Sequence, residues 1–280
     1  MKKLRETFIL MRPINCLITF LSLWVGAIVA GKIYFSWRIL IAAISASAIT
    51  GFGNIVNDIF DVQIDSINKP FRPLIQGIIS KKDATIAAVV LAAMGLFLSI
   101  FVAENALVVT FTAIILLMIY TPFFKGSIFL GNILIAFVSS LVFVYGGMAV
   151  DHMFGAVILS IYAFFFHLGR EIVKDIQDRY ADIARGQRTG AALDNAKTAR
   201  EMASLIFGTL IIITAMPFIA AVYSYGYMIT ILLGTDIILD FSIYHLLKTD
   251  SESTMRSIAG WLKIAMPLGL LAVFFGSRGW

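Results

Sequence analysis

Apolar stretches close to the roughly 20 residues that a helix needs to cross a bilayer recur from one end of this 280-residue chain to the other. Charged or Gly/Pro-marked breaks separate them, and they centre near Phe20, Ser47, Ala92, Ile114, Phe137, Tyr162, Ile212, Leu232 and Met266. The pattern predicts an all-α fold, a polytopic membrane bundle of about nine transmembrane helices forming a single integral-membrane domain over residues 1–280. Composition excludes a water-soluble fold: 60% of residues are hydrophobic and 14% charged, where a soluble domain carries about 25% charged residues. The first stretch, about Phe8 to Gly31, is too long for a signal-peptide core and lacks a convincing cleavage site, so it reads as a retained helix. Cys16 lies inside it and is the only cysteine, so no internal disulfide can form and the thiol reads as packing.

A formal net charge of +5 would suit a nucleic-acid partner, but the charges sort by membrane side instead. With a cytoplasmic N-terminus, Lys32, Arg38 and Arg278 are the only exceptions among 22 basic residues to an inside placement, as the positive-inside rule predicts. An odd number of spans then puts the C-terminus outside, in a multi-pass protein of the cell membrane. The predicted outside connections are short, whereas two inside connections, Ile59 to Asp83 and Lys174 to Arg200, are long and polar. Function tends to sit in such loops.

The second predicted span runs into Asn57-Asp58-Ile59-Phe60-Asp61-Val62-Gln63-Ile64-Asp65, and the sixth into Lys174-Asp175-Ile176-Gln177-Asp178-Arg179-Tyr180-Ala181-Asp182. Asp58, Asp61 and Asp65 stand at i, i+3 and i+7, and Asp175, Asp178 and Asp182 repeat that interval. Each trio is therefore expected along one stripe of a helix that continues past its apolar segment. Asn57, Asp61 and Asp65 make an overlapping i, i+4, i+8 stripe that adds a neutral oxygen. Stacked carboxylates repel one another, and an ionised Asp costs roughly 2.5–3.5 kcal/mol at the centre of a span, less towards its end. A cation should offset this, and oxygen donors without Cys or His point to a hard ion such as Mg²⁺, with phosphate oxygens completing its shell. The bland alternative is a solvated acidic helix end, or carboxylates paired with neighbouring Lys and Arg. Two clusters of one spacing on one predicted membrane face weigh against it.

Cations follow each cluster: Lys69, Arg72, Lys81 and Lys82 after the first, and Arg179, Arg185 and Arg188 after the second. Carboxylates would hold the metal, the metal would bridge diphosphate oxygens, and Arg or Lys would contact the remaining anionic oxygens. Arg72 and Lys125 are the foremost candidates for direct phosphate contact. Part of the basic excess is simply positive-inside charge.

These residues resemble the intramembrane prenyltransferases of the UbiA superfamily. The resemblance rests on Arg12-Pro13-Ile14-Asn15, Asn57-Asp58-x-x-Asp61-x-x-x-Asp65, Asn68-Lys69-Pro70-Phe71-Arg72-Pro73-Leu74, Tyr120-Thr121-Pro122 with Lys125, and Arg170-Glu171-x-x-Lys174-Asp175-x-x-Asp178-x-x-x-Asp182. It spans most of the first 200 residues, and beyond Arg200 only the span count supports it. Within the superfamily the wording is most similar to the archaeal digeranylgeranylglyceryl phosphate synthases, with Ala181 standing where that family usually has Gly. The resemblance implies Mg²⁺-dependent transfer of a geranylgeranyl group from geranylgeranyl diphosphate to the lipid-like acceptor geranylgeranylglyceryl phosphate. It implies Asn57, Asp58, Asp61, Asp65, Asp175, Asp178 and Asp182 as metal ligands, with Asp61, Asp65, Asp178, Asp182 and Lys125 central to catalysis. Arg12, Asn15, Lys69, Arg72, Tyr120, Arg170 and Lys174 are the implied substrate contacts.

Such a reaction ionises an allylic C–O bond, so metal and fixed cations on the leaving diphosphate lower the barrier. A recessed site lined by aromatic rings would shield the allylic cation from water, and Phe164, Phe165, Phe166 and His167 stand just before the second motif. His167 reads first as a packing histidine and second as a base for the acceptor hydroxyl. Asp236 and Asp240 in the eighth span should face the bundle interior or polar neighbours, with no role assigned. Two rival readings stay open: a superfamily member with an aromatic acceptor, and an ion-coupled transporter, whose carboxylates usually lie nearer mid-membrane.

Overall fold

The computed structural model describes residues 2–31, 35–124, 130–184, 196–249 and 251–277, and its described residues form helices, turns and no strand. In chain order the helices are α1 (Lys2–Leu10), α2 (Pro13–Gly31), α3 (Trp37–Phe60), α4 (Val62–Asn68), α5 (Lys81–Ser99), α6 (Ala106–Ile119), α7 (Leu130–Met148), α8 (Val157–Ala184), α9 (Ala196–Ile219), α10 (Tyr225–Ile231), α11 (Ile237–Lys248) and α12 (Glu252–Ser277). A π-helical segment, Tyr120–Phe124, extends α6, and a second, Leu232–Asp236, joins α10 to α11.

Among the described residues eight helical segments are long and apolar enough to cross a membrane, and they coincide with eight of the nine expected spans. The remaining one, centred on Tyr162, is the 28-residue α8. Its apolar first half gives way to Arg170, Glu171 and Lys174, so it is long enough to cross but carries charge within membrane depth. Large apolar side chains such as Val89, Phe97, Val108, Phe111, Leu205, Ile212 and Leu233 lie exposed on these helices. Surfaces like these would aggregate in water and are what lipid-facing helices require.

The chain packs as two compact units, one made of Met1–Phe124 and Leu141–Ala156, the other of Lys125–Ser140 and Val157–Trp280. In the first, α3 is the central helix, with 67% of its apolar window buried against 28% for α2 and α5. Small residues let its neighbours approach closely: Ala42, Ala43 and Ala46 share a core with Leu23, Ala27, Tyr145 and Ala149. Ser45 Oγ donates to the Gly95 carbonyl at 2.8 Å and accepts from Tyr145 at 3.1 Å, which satisfies two polar groups that lipid could not. Arg38 ties three connections together at one end of the unit. It donates to the carbonyls of Val102 at 2.7 Å and Met148 at 3.4 Å and forks onto Asp151 at 2.6 and 2.9 Å. That hydrogen bond holds the Asp151 carboxyl below the ordinary carboxylate range. The long Ile59–Asp83 connection lies at the other end, where Lys3 of α1 pairs with Asp83 at 3.1 Å.

In the second unit α8 packs on α9 and α12, and α10–α11 pack on α9 and α12. Three of these helices are irregular, α9 at Pro217, α12 at Pro267 and α10–α11 at the π segment. Side chains satisfy backbone near each irregularity: Tyr227 donates to the Thr214 carbonyl at 2.6 Å, and Thr235 to the Ala265 carbonyl at 3.2 Å. Asp236, left without a role by the sequence, is buried in this stitching 3.3 Å from Thr214 Oγ1, whereas Asp240 is exposed.

Gly146 of α7 shows how close the approach is, because a Cβ there would stand 2.4 Å from the Leu23 carbonyl oxygen of α2. Backbone cannot yield as a flexible side chain can. Gly146→Ala is therefore expected to destabilise the protein by about 1–3 kcal/mol, measured as a lowered melting temperature in detergent. An unchanged melting temperature would contradict the packing of α2 on α7.

Candidate active site

The first acidic motif does not ride on one unbroken helix, as the spacing predicts. α3 ends at Phe60, Asp61 sits at a bend with φ −82° and ψ 4°, and α4 begins at Val62. The hydrogen-bond ladder nevertheless continues through the bend. The Asp61 N–H bonds the Asn57 carbonyl at 2.9 Å, Asp65 bonds Asp61 at 2.7 Å, and Lys69 bonds Asp65 at 2.8 Å. Asn57, Asp61, Asp65 and Lys69 are thus successive rungs, and the expected i, i+4, i+8 stripe survives even though the helix does not.

Asn57 and Asp65 each have a neighbour that orients them. Pro122 has no N–H to give to the α-helical pattern, and the chain around it adopts the π segment Tyr120–Phe124. Thr121 Oγ1 in that segment hydrogen-bonds Asn57 Oδ1, which fixes the Asn57 amide, while Tyr120 is buried beside it. Asp65 is buried, accepts from Arg72 Nη1 and has Lys69 Nζ at 3.9 Å. Burial pushes its carboxyl above the ordinary carboxylate range, and Arg72 and then Lys69 oppose that rise without cancelling it.

Asp58, expected among the metal ligands, is buried and turned to two arginines. Its Oδ1 accepts from Arg12 Nη2 at 2.6 Å and from Arg72 Nη1 at 2.7 Å. Arg12 stands at the joint between α1 and α2 with a positive φ of 54°, a region that costs a non-glycine residue about 1–3 kcal/mol. The joint is held by Asn54 Nδ2, which donates to the Met11 carbonyl at 2.9 Å, and by the Cys16 thiol, which donates to the same carbonyl at 3.2 Å. Cys16 is therefore engaged in structure. Asn15, an implied substrate contact, is exposed one turn beyond the joint.

In the second unit the other motif does lie on one continuous helix, α8. Asp175 accepts from Asn132 Nδ2 of α7 at 2.8 Å, and Asp178 is exposed. The Asp182 side chain, Lys125, Arg185 and Arg188 lie outside the described residues. One turn before Asp175, the buried Glu171 takes Arg170 Nη1 on Oε1 at 2.9 Å and Lys174 Nζ on Oε2 at 2.8 Å. Each carboxylate oxygen thus has its own cation, and the trio carries a net positive charge. Two flanking rings, Phe166 and His167, meet edge-to-face at 5.9 Å.

Among the described residues no three His, Cys, Asp or Glu side chains close into a metal-holding cluster. The donor chemistry still suits a hard cation, since each motif offers only oxygens, and Mg²⁺ takes few protein ligands and fills its shell with water and phosphate. Sequence reasoning missed Thr121 and Asn132 as orienting partners and Glu171 as a counter-ion. Asn132 left a signal in the sequence, because an amide inside an apolar span demands a partner.

Breaking the Glu171 set removes a buried carboxylate from the part-buried Arg170 and the exposed Lys174. Glu171→Gln should cost roughly 1–3 kcal/mol of stability, read by unfolding in detergent. Asp83→Asn, which breaks the exposed pair with Lys3, should leave unfolding unchanged; equal effects would refute the difference in burial.

The profile of the UbiA prenyltransferase family matches residues 19–266. A digeranylgeranylglyceryl phosphate synthase from Methanosphaera stadtmanae is 30% identical over 269 residues, covering 96% of this chain and 97% of its own. A solved structure from work on digeranylgeranylglyceryl phosphate synthase in membranes superposes with a TM-score of 0.82 at 29% identity, covering 99% of each chain. A UbiA homologue from Archaeoglobus fulgidus, bound to GPP and Mg²⁺, shares the fold with a TM-score of 0.61 at 16% identity, over 96% of this chain and 99% of its own.

Proposed function

The chain belongs to the UbiA prenyltransferase family, and we propose that it transfers a geranylgeranyl group from geranylgeranyl diphosphate to geranylgeranylglyceryl phosphate. It is a multi-pass membrane prenyltransferase in which the whole chain serves as one catalytic domain. The observation that carries the reading is the ladder of Asn57, Asp61 and Asp65, with Arg72 seated on Asp65. The second motif, the near-full-length similarity to digeranylgeranylglyceryl phosphate synthases, and the Archaeoglobus fulgidus homologue bound to GPP and Mg²⁺ support it.

In the reaction the bond between the allylic carbon and the diphosphate oxygen breaks, and diphosphate leaves with the bonding electrons. The acceptor hydroxyl oxygen bonds that carbon to form an ether and gives up its proton. Asn57, Asp61 and Asp65 of the first motif and Asp175, Asp178 and Asp182 of the second are the residues that would hold Mg²⁺, which when bound would supply Lewis-acid stabilisation to the departing diphosphate. Arg12, Lys69, Arg72 and Lys125 neutralise its remaining oxygens by charge-assisted hydrogen bonds. Arg170 and Lys174, held by Glu171, supply further fixed positive charge, with Asn15 and Tyr120 contacting substrate. Since these cations are positioned before charge develops, little reorganisation accompanies bond breaking. Both motifs and the N-terminus lie on the cytoplasmic side and the C-terminus outside, as the distribution of Lys and Arg supports.

Purified protein with Mg²⁺ and geranylgeranyl diphosphate should prenylate geranylgeranylglyceryl phosphate and leave 4-hydroxybenzoate unchanged, and EDTA should abolish turnover. Asp61→Ala and Asp178→Ala should each lower kcat at least about 100-fold without lowering the melting temperature. Transfer to the aromatic acceptor alone would overturn the substrate assignment, and full activity in either variant would overturn the metal assignment.

A further inference from the structure

The first motif contains three aspartates, but the structure treats one of them differently. Asp58 is 4% exposed, and its Oδ1 takes both guanidiniums at 2.6 and 2.7 Å. These are charge-assisted bonds to a single buried oxygen, a setting in which an unpaired carboxylate would be costly and a paired one is held firmly. Asp58 meets the stripe through Arg72, since Arg72 Nη1 also bonds Asp65.

The two arginines come from segments far apart in sequence. Arg12 belongs to the strained joint after α1, and Arg72 to the loop after α4. Two like charges would separate without an anion between them, and Asp58 is that anion. The positive φ at Arg12 has a reason in this arrangement, since the ion pair offsets the backbone cost of aiming the guanidinium at α3. Each guanidinium carries five N–H donors. Arg12 engages Asp58 through Nη2, and Arg72 engages Asp58 and Asp65 through Nη1. The remaining donors suit the forked recognition of phosphate oxygens.

We propose that Asp58 is a positioning residue and not a metal ligand: its buried carboxylate pins Arg12 and Arg72 side by side as a two-arginine clamp for the diphosphate. The inference rests on the prenyl-transfer reading for the identity of the anion. Arg72, which also touches Asp65, joins the clamp to the stripe proposed to hold the metal. Asp58 thereby acts on the substrate through the arginines, and Asp61 and Asp65 act on it through the cation.

The test uses the full chain in detergent with Mg²⁺, first with both substrates and then with inorganic pyrophosphate as the binding probe. Asp58→Asn should weaken pyrophosphate binding by calorimetry, and raise KM for the prenyl diphosphate, about tenfold, the loss expected for charge-assisted hydrogen bonds. Its half-saturating Mg²⁺ concentration should stay at the wild-type value, whereas Asp61→Asn should raise it. Binding of Mn²⁺, followed by its electron spin resonance in the presence of pyrophosphate, should likewise be unaltered in Asp58→Asn. A raised metal requirement, or unchanged pyrophosphate affinity, would overturn the proposal. Should Asp58→Asn fail to fold, Arg12→Ala and Arg72→Ala carry the test, since wild-type pyrophosphate affinity in either refutes the clamp. Where all three fold, adding Asp58→Asn to the double arginine variant should change affinity no further, and an added loss would assign Asp58 its own ligand contact. Failure of the wild type to turn over any prenyl diphosphate would instead refute the functional reading, which separates the two failures.

Discussion

The arrangement of the first unit depends on carboxylates that are buried and charged in a protein whose surroundings offer little water. A buried carboxylate needs opposite charge and hydrogen bonds to stay ionised, and removing one partner costs far more than the pair contributes. Asp58 and Asp65 meet that demand with Arg12, Arg72 and Lys69. The demand reaches well beyond the site. It fixes the joint between α1 and α2, draws the loop after α4 back onto α3, and with Asn54 and Cys16 accounts for why Arg12 tolerates a left-handed backbone.

The two motifs share a spacing but solve this problem differently. On α8 the counter-ions are local, because Arg170 and Lys174 lie one and three residues from Glu171 and reach it on the same helix. The first motif borrows its cations across 46 and 14 residues. The setting of Asp58 therefore depends on tertiary structure, whereas that of Glu171 is written into one helix. A change at the joint after α1 can disturb the first motif without touching an acidic residue, whereas the partners that Glu171 has among the described residues lie on α8 itself.

That contrast explains what could be read from the sequence. Apolar run lengths gave eight of the expected spans as helices of crossing length, because the hydrophobic demand of a bilayer acts on composition alone. The ninth, α8, is a long helix whose charges begin at its midpoint, with Arg170, Glu171 and Lys174. Residue intervals placed Asn57, Asp61 and Asp65 on one ladder, but not the bend at Asp61. Nor could they show that Asp58 takes Arg12 as a partner, because a helical wheel orders side chains around an axis and says nothing of a residue 46 positions away. Arg72 stood out in its motif as a candidate phosphate contact, but its double hold on Asp58 and Asp65 was not legible there.

The π segments were equally hidden, and for a more general reason. A π turn inserts one residue into a helix without changing its hydrophobic pattern enough to see, yet each one here sets the direction of a polar group. Around Pro122 the segment brings Thr121 to Asn57, and in the second unit the segment Leu232–Asp236 brings Thr235 to the Ala265 carbonyl and Asp236 to Thr214. Side chains in a regular helix repeat on a 3.6-residue period, so breaking that period gives a polar residue a direction the regular helix would not. In lipid this matters more than in water, since a misdirected polar group has no solvent to bond. The irregular turns thus aim Thr121, Thr235 and Asp236, and in the first unit Thr121 fixes the leading residue of the stripe proposed to hold metal.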